Sequence, residues 1–154
     1  MDDIENTVHK YRDSILRLAY TYLKNQSEAE DIAQDVFVAY IQKKPYCLAE
    51  KNKKSWLMQV TANKCKNTLN SAWRTRNTVI KDDLSYMPKN HEEIISYVLT
   101  LDEKYRIPIH LYYYEGYSIK EISSLLKRNS ATVGTWLSRG RQLLKAMIGD
   151  DLNE

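Results

Sequence analysis

Between Ser118 and Lys145 a capping signal, a helical apolar stripe, a short aperiodic stretch and a second apolar stripe follow one another, and this order constrains the fold more than anything else in the chain. Ser118 is a good N-cap residue, and Glu121 stands three positions on, where its carboxylate can return to the cap's own N–H. Ile119, Ile122, Leu125 and Leu126 then recur at helical spacing. Lys127-Arg128-Asn129-Ser130 breaks the period, and Asn129 or Ser130 can cap a further helix. In that helix Val133, Leu137, Gly140 and Leu144 share one face, while Thr135, Ser138 and Arg139 lie opposite, flanked by Arg141 and Lys145. No carboxylate occurs between Glu121 and Asp150. The stretch reads as a helix-turn-helix whose last helix has a small, uncharged start and a cationic later part, which suits a DNA major groove. An ordinary helical hairpin with a solvated basic face is the competing reading.

Charge distribution adds to this. The formal net charge of +3 is mild, and by itself implies no polyanionic partner. Yet no acidic residue occurs from Lys51 to Lys81, a stretch carrying Lys51, Lys53, Lys54, Lys64, Lys66, Arg74, Arg76 and Lys81. The first fifty positions hold two acidic clusters instead, Asp2-Asp3-Glu5 and Glu28-Glu30-Asp31-Asp35. Separate acidic and basic surfaces are expected of an adaptor between a protein and a nucleic acid.

With 154 residues, 4 glycines and 3 prolines, the chain has room for one domain or two small ones built from long helices. The expected class is all-α, two small helical domains joined by a flexible linker, the C-terminal one containing the helix-turn-helix. A first helix, from about Ile4 to Lys24, buries Val8, Tyr11, Ile15, Leu18, Ala19 and Tyr22. Ser27 with Glu30 forms a second capping box, opening a helix that runs to about Lys43 and buries Ile32, Val36, Ala39 and Tyr40 or their neighbours. Pro45 ends it. A third helix starts near Ser55 and continues, bent or interrupted near Asn63, to about Arg76. This places the first domain at 1–76, the linker at 77–91 and the second domain at 92–154. Pro108 sits inside a helical pattern capped at Asp102, so either that helix bends there or it begins later.

Several classes are disfavoured. Cys47 and Cys65 have no metal-ligand spacing, and idle thiols in a reducing cytosol are the expectation. No apolar run approaches the roughly 20 residues a membrane span needs, and MDDIENTVHK lacks the features of a signal peptide. The histidines, His9, His91 and His110, are scattered. There is no nucleophile constellation, metal cluster or phosphate-cradling glycine loop. No catalysis, no cofactor, no metal, no membrane insertion and a cytoplasmic location are therefore expected.

Taken together, three segments resemble an extracytoplasmic-function (ECF, group 4) sigma factor of the sigma-70 family of RNA polymerase subunits. EAEDIAQDVFVAYIQK resembles the family's polymerase-docking helix, and SWLMQVTANKCKNTL the segment that melts and reads the −10 element. LDEKYR, YYYEGYSIKEISSLL and TVGTWLSRGRQLL resemble the domain that reads the −35 element. The likeness runs from about Tyr11 to Ile148. It implies core RNA polymerase and promoter DNA as partners, with room for an anti-sigma factor as a third. It assigns core binding to Asp31, Gln34, Asp35 and Phe37, and −10 binding to Asn63, Lys66, Asn67, Arg74 and Arg76. The −35 duplex falls to Gly134, Thr135, Trp136, Ser138, Arg139 and Arg141.

The residue types suit these roles. Asp31, Gln34 and Asp35 share a helix face beside Phe37, as a basic, partly apolar helical partner would require. An amide such as Asn63 can both donate to and accept from the edge of a flipped base. Trp56 and Trp73 stand among cations, the composition that single-stranded DNA binding uses, although Trp56 fits a core position better than a stacking one. Arg139 is the natural bidentate reader of guanine. Gly134 departs from the family, which usually has Lys or Arg there; Ala131 replaces a common glycine; and Gly140 replaces a common alanine, leaving room for closer helix packing. A stand-alone helix-turn-helix repressor or activator is the alternative, but it would need no strand-opening segment.

Overall fold

The computed structural model describes residues 2–43, 50–71 and 92–152. All its described elements are helices, and the chain divides into two compact units, Met1–Asp82 and Asp83–Glu154.

The first unit packs three helices, α1 (Asp2–Leu23), α2 (Gln26–Lys43) and α3 (Glu50–Leu69), each against the other two. The expected stripe of α1 is buried from Tyr11 through Ile15, Leu18 and Ala19 to Tyr22, while Val8 is half-buried. Lys24 ends α1 in the left-handed conformation, φ 56°. The chain turns at once into α2, and here the expected cap is corrected. Asn25, not Ser27, caps α2: its Oδ1 accepts from Glu28 N at 2.9 Å and its carbonyl from Ala29 N at 3.0 Å. With only Lys24 and Asn25 between the helices, the cap must fall at Asn25, and Glu30 instead receives a bond from Gln26 Nε2. Helix α2 buries Ala29, Ile32, Ala33, Val36 and Tyr40, with Ala39 half-buried.

Helix α3 also differs from its expected course. It starts at Glu50 rather than Ser55, passes Asn63 without interruption and ends at Leu69. The reason is a buried face made continuous by small and polar residues: Lys53, Leu57, Met58, Thr61, Ala62 and Cys65. Thr61 is tolerated there because its hydroxyl donates to Leu57 O at 2.7 Å. Burying Leu57 and Met58 completely contributes on the order of 1.5–3 kcal/mol each. Ser71 closes the end, its N–H and hydroxyl both on Thr68 O at 3.2 and 2.9 Å. Cys65 is a buried free thiol, whereas Cys47, Pro45, Trp73, the last turns expected up to Arg76 and the expected linker 77–91 lie outside the described residues.

The second unit contains α4 (Glu92–Thr100), α5 (Glu103–Ile109), α6 (Ile119–Leu126) and α7 (Ser130–Leu152). Arg106, buried, donates to Leu101 O at 2.8 Å and holds the corner between α4 and α5. Pro108 lies in the interior of α5, which neither starts later nor stops there. The helix instead widens into a π-helical turn, His110–Tyr114, closed by an i→i+5 bond from Glu115 N to His110 O at 3.2 Å. Inside it, His110 stacks on Tyr114 with ring centroids 5.8 Å apart and lies 3.6 Å from the buried carboxylate of Glu115.

Candidate nucleic-acid and protein-docking interfaces

The helix-turn-helix is built as its residues require. Glu121 N donates to Ser118 Oγ at 3.1 Å while Ser118 N donates to Glu121 Oε1 at 2.9 Å, a complete capping box. Helix α6 ends in a Schellman arrangement, with Arg128 N on Ser123 O at 3.0 Å and Lys127 left-handed at φ 58°. Asn129 then caps α7, its Oδ1 accepting from Thr132 N at 2.8 Å. Ile122, Leu125 and Leu126 of α6 and Val133 and Leu137 of α7 are buried, which fixes the rotation of α7 about its axis.

That rotation leaves Thr135, Ser138, Arg139, Arg141 and Lys145 exposed. Gly134 and Trp136 are half-buried on the two flanks. Thr135 Oγ1 donates to Ala131 O at 3.0 Å, so toward a ligand it offers a methyl group and an acceptor, with its proton already engaged. Gly134 sees open space: a Cβ there would meet nothing within 4 Å. Gly140 is the opposite. A Cβ there would overlap Ile109 Cδ1 and come within 3.3 Å of Ile109 Cγ1 and 3.4 Å of Tyr105 Cβ, so this glycine sets how closely α7 approaches α5. Arg141 Nη1 donates to the hydroxyl of Tyr113 at 3.1 Å, a bond spanning 28 positions of sequence. Nothing in the sequence singles out Tyr113 among three consecutive tyrosines.

In the first unit, Asn63 and Asn67 are exposed and Lys66 half-buried, one turn apart on the face of α3 turned from the core. Trp56, seven positions before Asn63 and so on nearly the same face, is half-buried and packs edge-on against Tyr40 of α2, centroids 6.0 Å apart at 64°. Lys53 leaves the basic surface altogether: it is buried, 3.4 Å from Thr7 Oγ1 on α1. Arg74 and Arg76 lie outside the described residues.

On α2, Asp31, Gln34 and Asp35 are exposed and Phe37 is half-buried at the edge of their face. The apolar residues standing among them are Val38 and Ile41, 50% and 42% exposed, which sequence reasoning missed. A signal was available. Once Ile32, Val36 and Tyr40 are assigned to the core, Val38 and Ile41 must point away from it. Two bare aliphatic side chains between carboxylates and an amide make a surface suited to a protein rather than to DNA.

Among the described residues no group of three or more His, Cys, Asp or Glu could hold a metal ion, and no helix is long and apolar enough to cross a membrane.

Comparison with known proteins joins the two units. Residues 7–75 match the profile of Sigma-70 region 2, and residues 91–144 that of Sigma-70, region 4. The chain is 27% identical over 170 residues to the ECF RNA polymerase sigma factor SigW of Bacillus subtilis (strain 168), covering 97% of this chain and 90% of SigW. With the ECF RNA polymerase sigma factor SigM of the same organism it shares 26% over 164 residues, 98% of each. Its fold is similar to that of the sigma factor RpoE from Bartonella quintana, solved with the anti-sigma factor NepR. That likeness has a TM-score of 0.76 at 17% identity and covers 97% of this chain and 98% of the other.

Proposed function

The chain belongs to the sigma-70 family, in its extracytoplasmic-function group, and we infer from this and from the surfaces above how it works as a sigma factor directing RNA polymerase to promoters. The observation that carries the reading is the order of two matched regions, the second with a fully capped helix-turn-helix. Region 2, placed at 1–76, docks on core polymerase through Asp31, Gln34, Asp35, Phe37, Val38 and Ile41. The same region opens the −10 element, with Asn63 receiving a flipped base and Lys66, Asn67, Arg74 and Arg76 meeting the strand. Residues 77–91 link it to region 4, placed at 92–154. There Thr135, Ser138 and Arg139 face the −35 bases, and Gly134, Trp136 and Arg141 lie beside phosphates. The chain supplies no catalytic chemistry of its own; polymerase does that, in the cytoplasm. An anti-sigma factor, such as the one bound to RpoE, is a fitting inhibitory partner.

Purified chain mixed with core polymerase tests this. Co-elution with core, and promoter-specific transcription that core alone does not give, is the expected result. Sequence-specific duplex binding by a dimer of the chain, with no association with core, would establish the stand-alone repressor or activator instead.

A further inference from the structure

We propose that Tyr113 is a positioning residue that holds Arg141 ready to clamp a backbone phosphate, along an edge of α7 where Gly134 presents no side chain. The proposal rests on α7 being the −35 helix, as read above.

Arg141 and Gly134 are seven positions apart, so they lie on the same edge of α7, about two turns from one another. Gly134 presents only open space on that edge. Arg141 is exposed, and no carboxylate occurs along α7 before Asp150 to neutralise it. Its guanidinium is nevertheless not loose, because Nη1 donates to the Tyr113 hydroxyl at 3.1 Å. Tyr113 is itself braced, meeting Tyr112 edge-on with centroids 4.9 Å apart at 71°. The backbone beneath it is the π-helical turn, fixed by Glu115 N on His110 O at 3.2 Å and Tyr117 N on Leu111 O at 3.0 Å.

Fixing a free arginine on binding costs rotamer entropy, because its stem has many torsions. A phenol has few, so a bond to one orders the fork before DNA arrives. One N–H is spent on the phenol and the others remain, in a planar array that matches phosphate oxygens. A partner that recognises this pair is therefore the phosphodiester backbone. A pair at the edge of α7, outside the Thr135, Ser138 and Arg139 face, carries affinity and no base preference.

The test uses the full chain assembled with core polymerase, and as probe a duplex that the wild-type assembly selects from a randomised pool. Affinity is measured against salt for wild type, Tyr113→Phe, Arg141→Ala, Arg141→Lys and the Tyr113→Phe/Arg141→Ala double variant. Tyr113→Phe should weaken binding about three- to tenfold, the cost of ordering one long side chain. It should do so equally on the selected duplex and its single-base variants, with salt dependence and melting temperature unchanged. Arg141→Ala should weaken binding further and lower the salt slope by about one phosphate contact, whereas Arg141→Lys should keep most of the slope. The double variant should match Arg141→Ala. Wild-type affinity in Tyr113→Phe, or a Tyr113 effect that persists without Arg141, overturns the proposal while leaving the sigma reading intact. Failure of the wild-type assembly to select any sequence overturns the sigma reading itself, and this proposal with it.

Discussion

At Gly140 a methyl group would meet Ile109, itself only 1% exposed, whereas at Gly134 on the same helix it would meet nothing within 4 Å. Replacing glycine by alanine inside a helix gains about 1 kcal/mol of propensity, and overpacking costs about 1–3 kcal/mol. Gly134→Ala should therefore stabilise region 4 by up to about 1 kcal/mol. Gly140→Ala should destabilise it by up to about 2 kcal/mol net, the overpacking cost less the gain. Thermal melting should move in opposite directions, by roughly 4–8 °C per kcal/mol; two shifts of the same sign would show that Gly140 does not set the α5–α7 spacing. Tyr114 offers a second residue-scale test, because burial raises its pKa above 10. Folding favours the neutral phenol, so this stability is complete below about pH 10, the unfolded value, and is lost as pH rises through the folded one. Wild type and Tyr114→Phe should keep a constant difference in melting temperature up to about pH 10, beyond which wild type should fall faster. Parallel profiles throughout would remove Tyr114 from the alkaline response.

Elements were legible where their signals are local. The Ser118–Glu121 box joins residues three apart, and both of its bonds are present. The stripes of α1, α6 and α7 declare themselves because each helix has one apolar face. Helix α3 was harder to place, since Lys53 and Thr61 lie in its buried face and hide both its start and its continuity past Asn63. The stop of α6 is hidden too: the left-handed position usually given to glycine is held by Lys127. Nor does a proline within α5 reveal that the helix will widen beyond it. In α2, two apolar faces rather than one obscured the surface of Val38 and Ile41. That surface gives an element-scale prediction. Val38→Ala with Ile41→Ala should weaken association with core polymerase by more than about 1 kcal/mol and leave melting within about 0.5 kcal/mol of wild type. Unchanged core affinity in the folded double variant would confine docking to the polar residues.

For the molecule as a whole, docking and strand opening are proposed for one unit and duplex reading for the other. Asn63→Ala should reduce open-complex formation on duplex promoters and be partly rescued on templates already mismatched across the −10 element, where the few kcal/mol of unpairing are already supplied. Equal loss on both templates, with a lower melting temperature, would make Asn63 structural. The existence of two compact helical units was expected from the sequence. The bond between Tyr113 and Arg141 was not, since it joins positions that only the packing of α5 on α7 brings together. Each unit has its own core, Tyr11 to Cys65 in one and Val98 to Leu137 in the other. The genetics follow from that separation. If docking belongs to the first unit as proposed, a lesion that unfolds only the second core would leave a chain that still occupies polymerase and cannot lead it to a promoter. Such an allele would act as a competitor of the intact copy, dominant where a simple loss would be recessive.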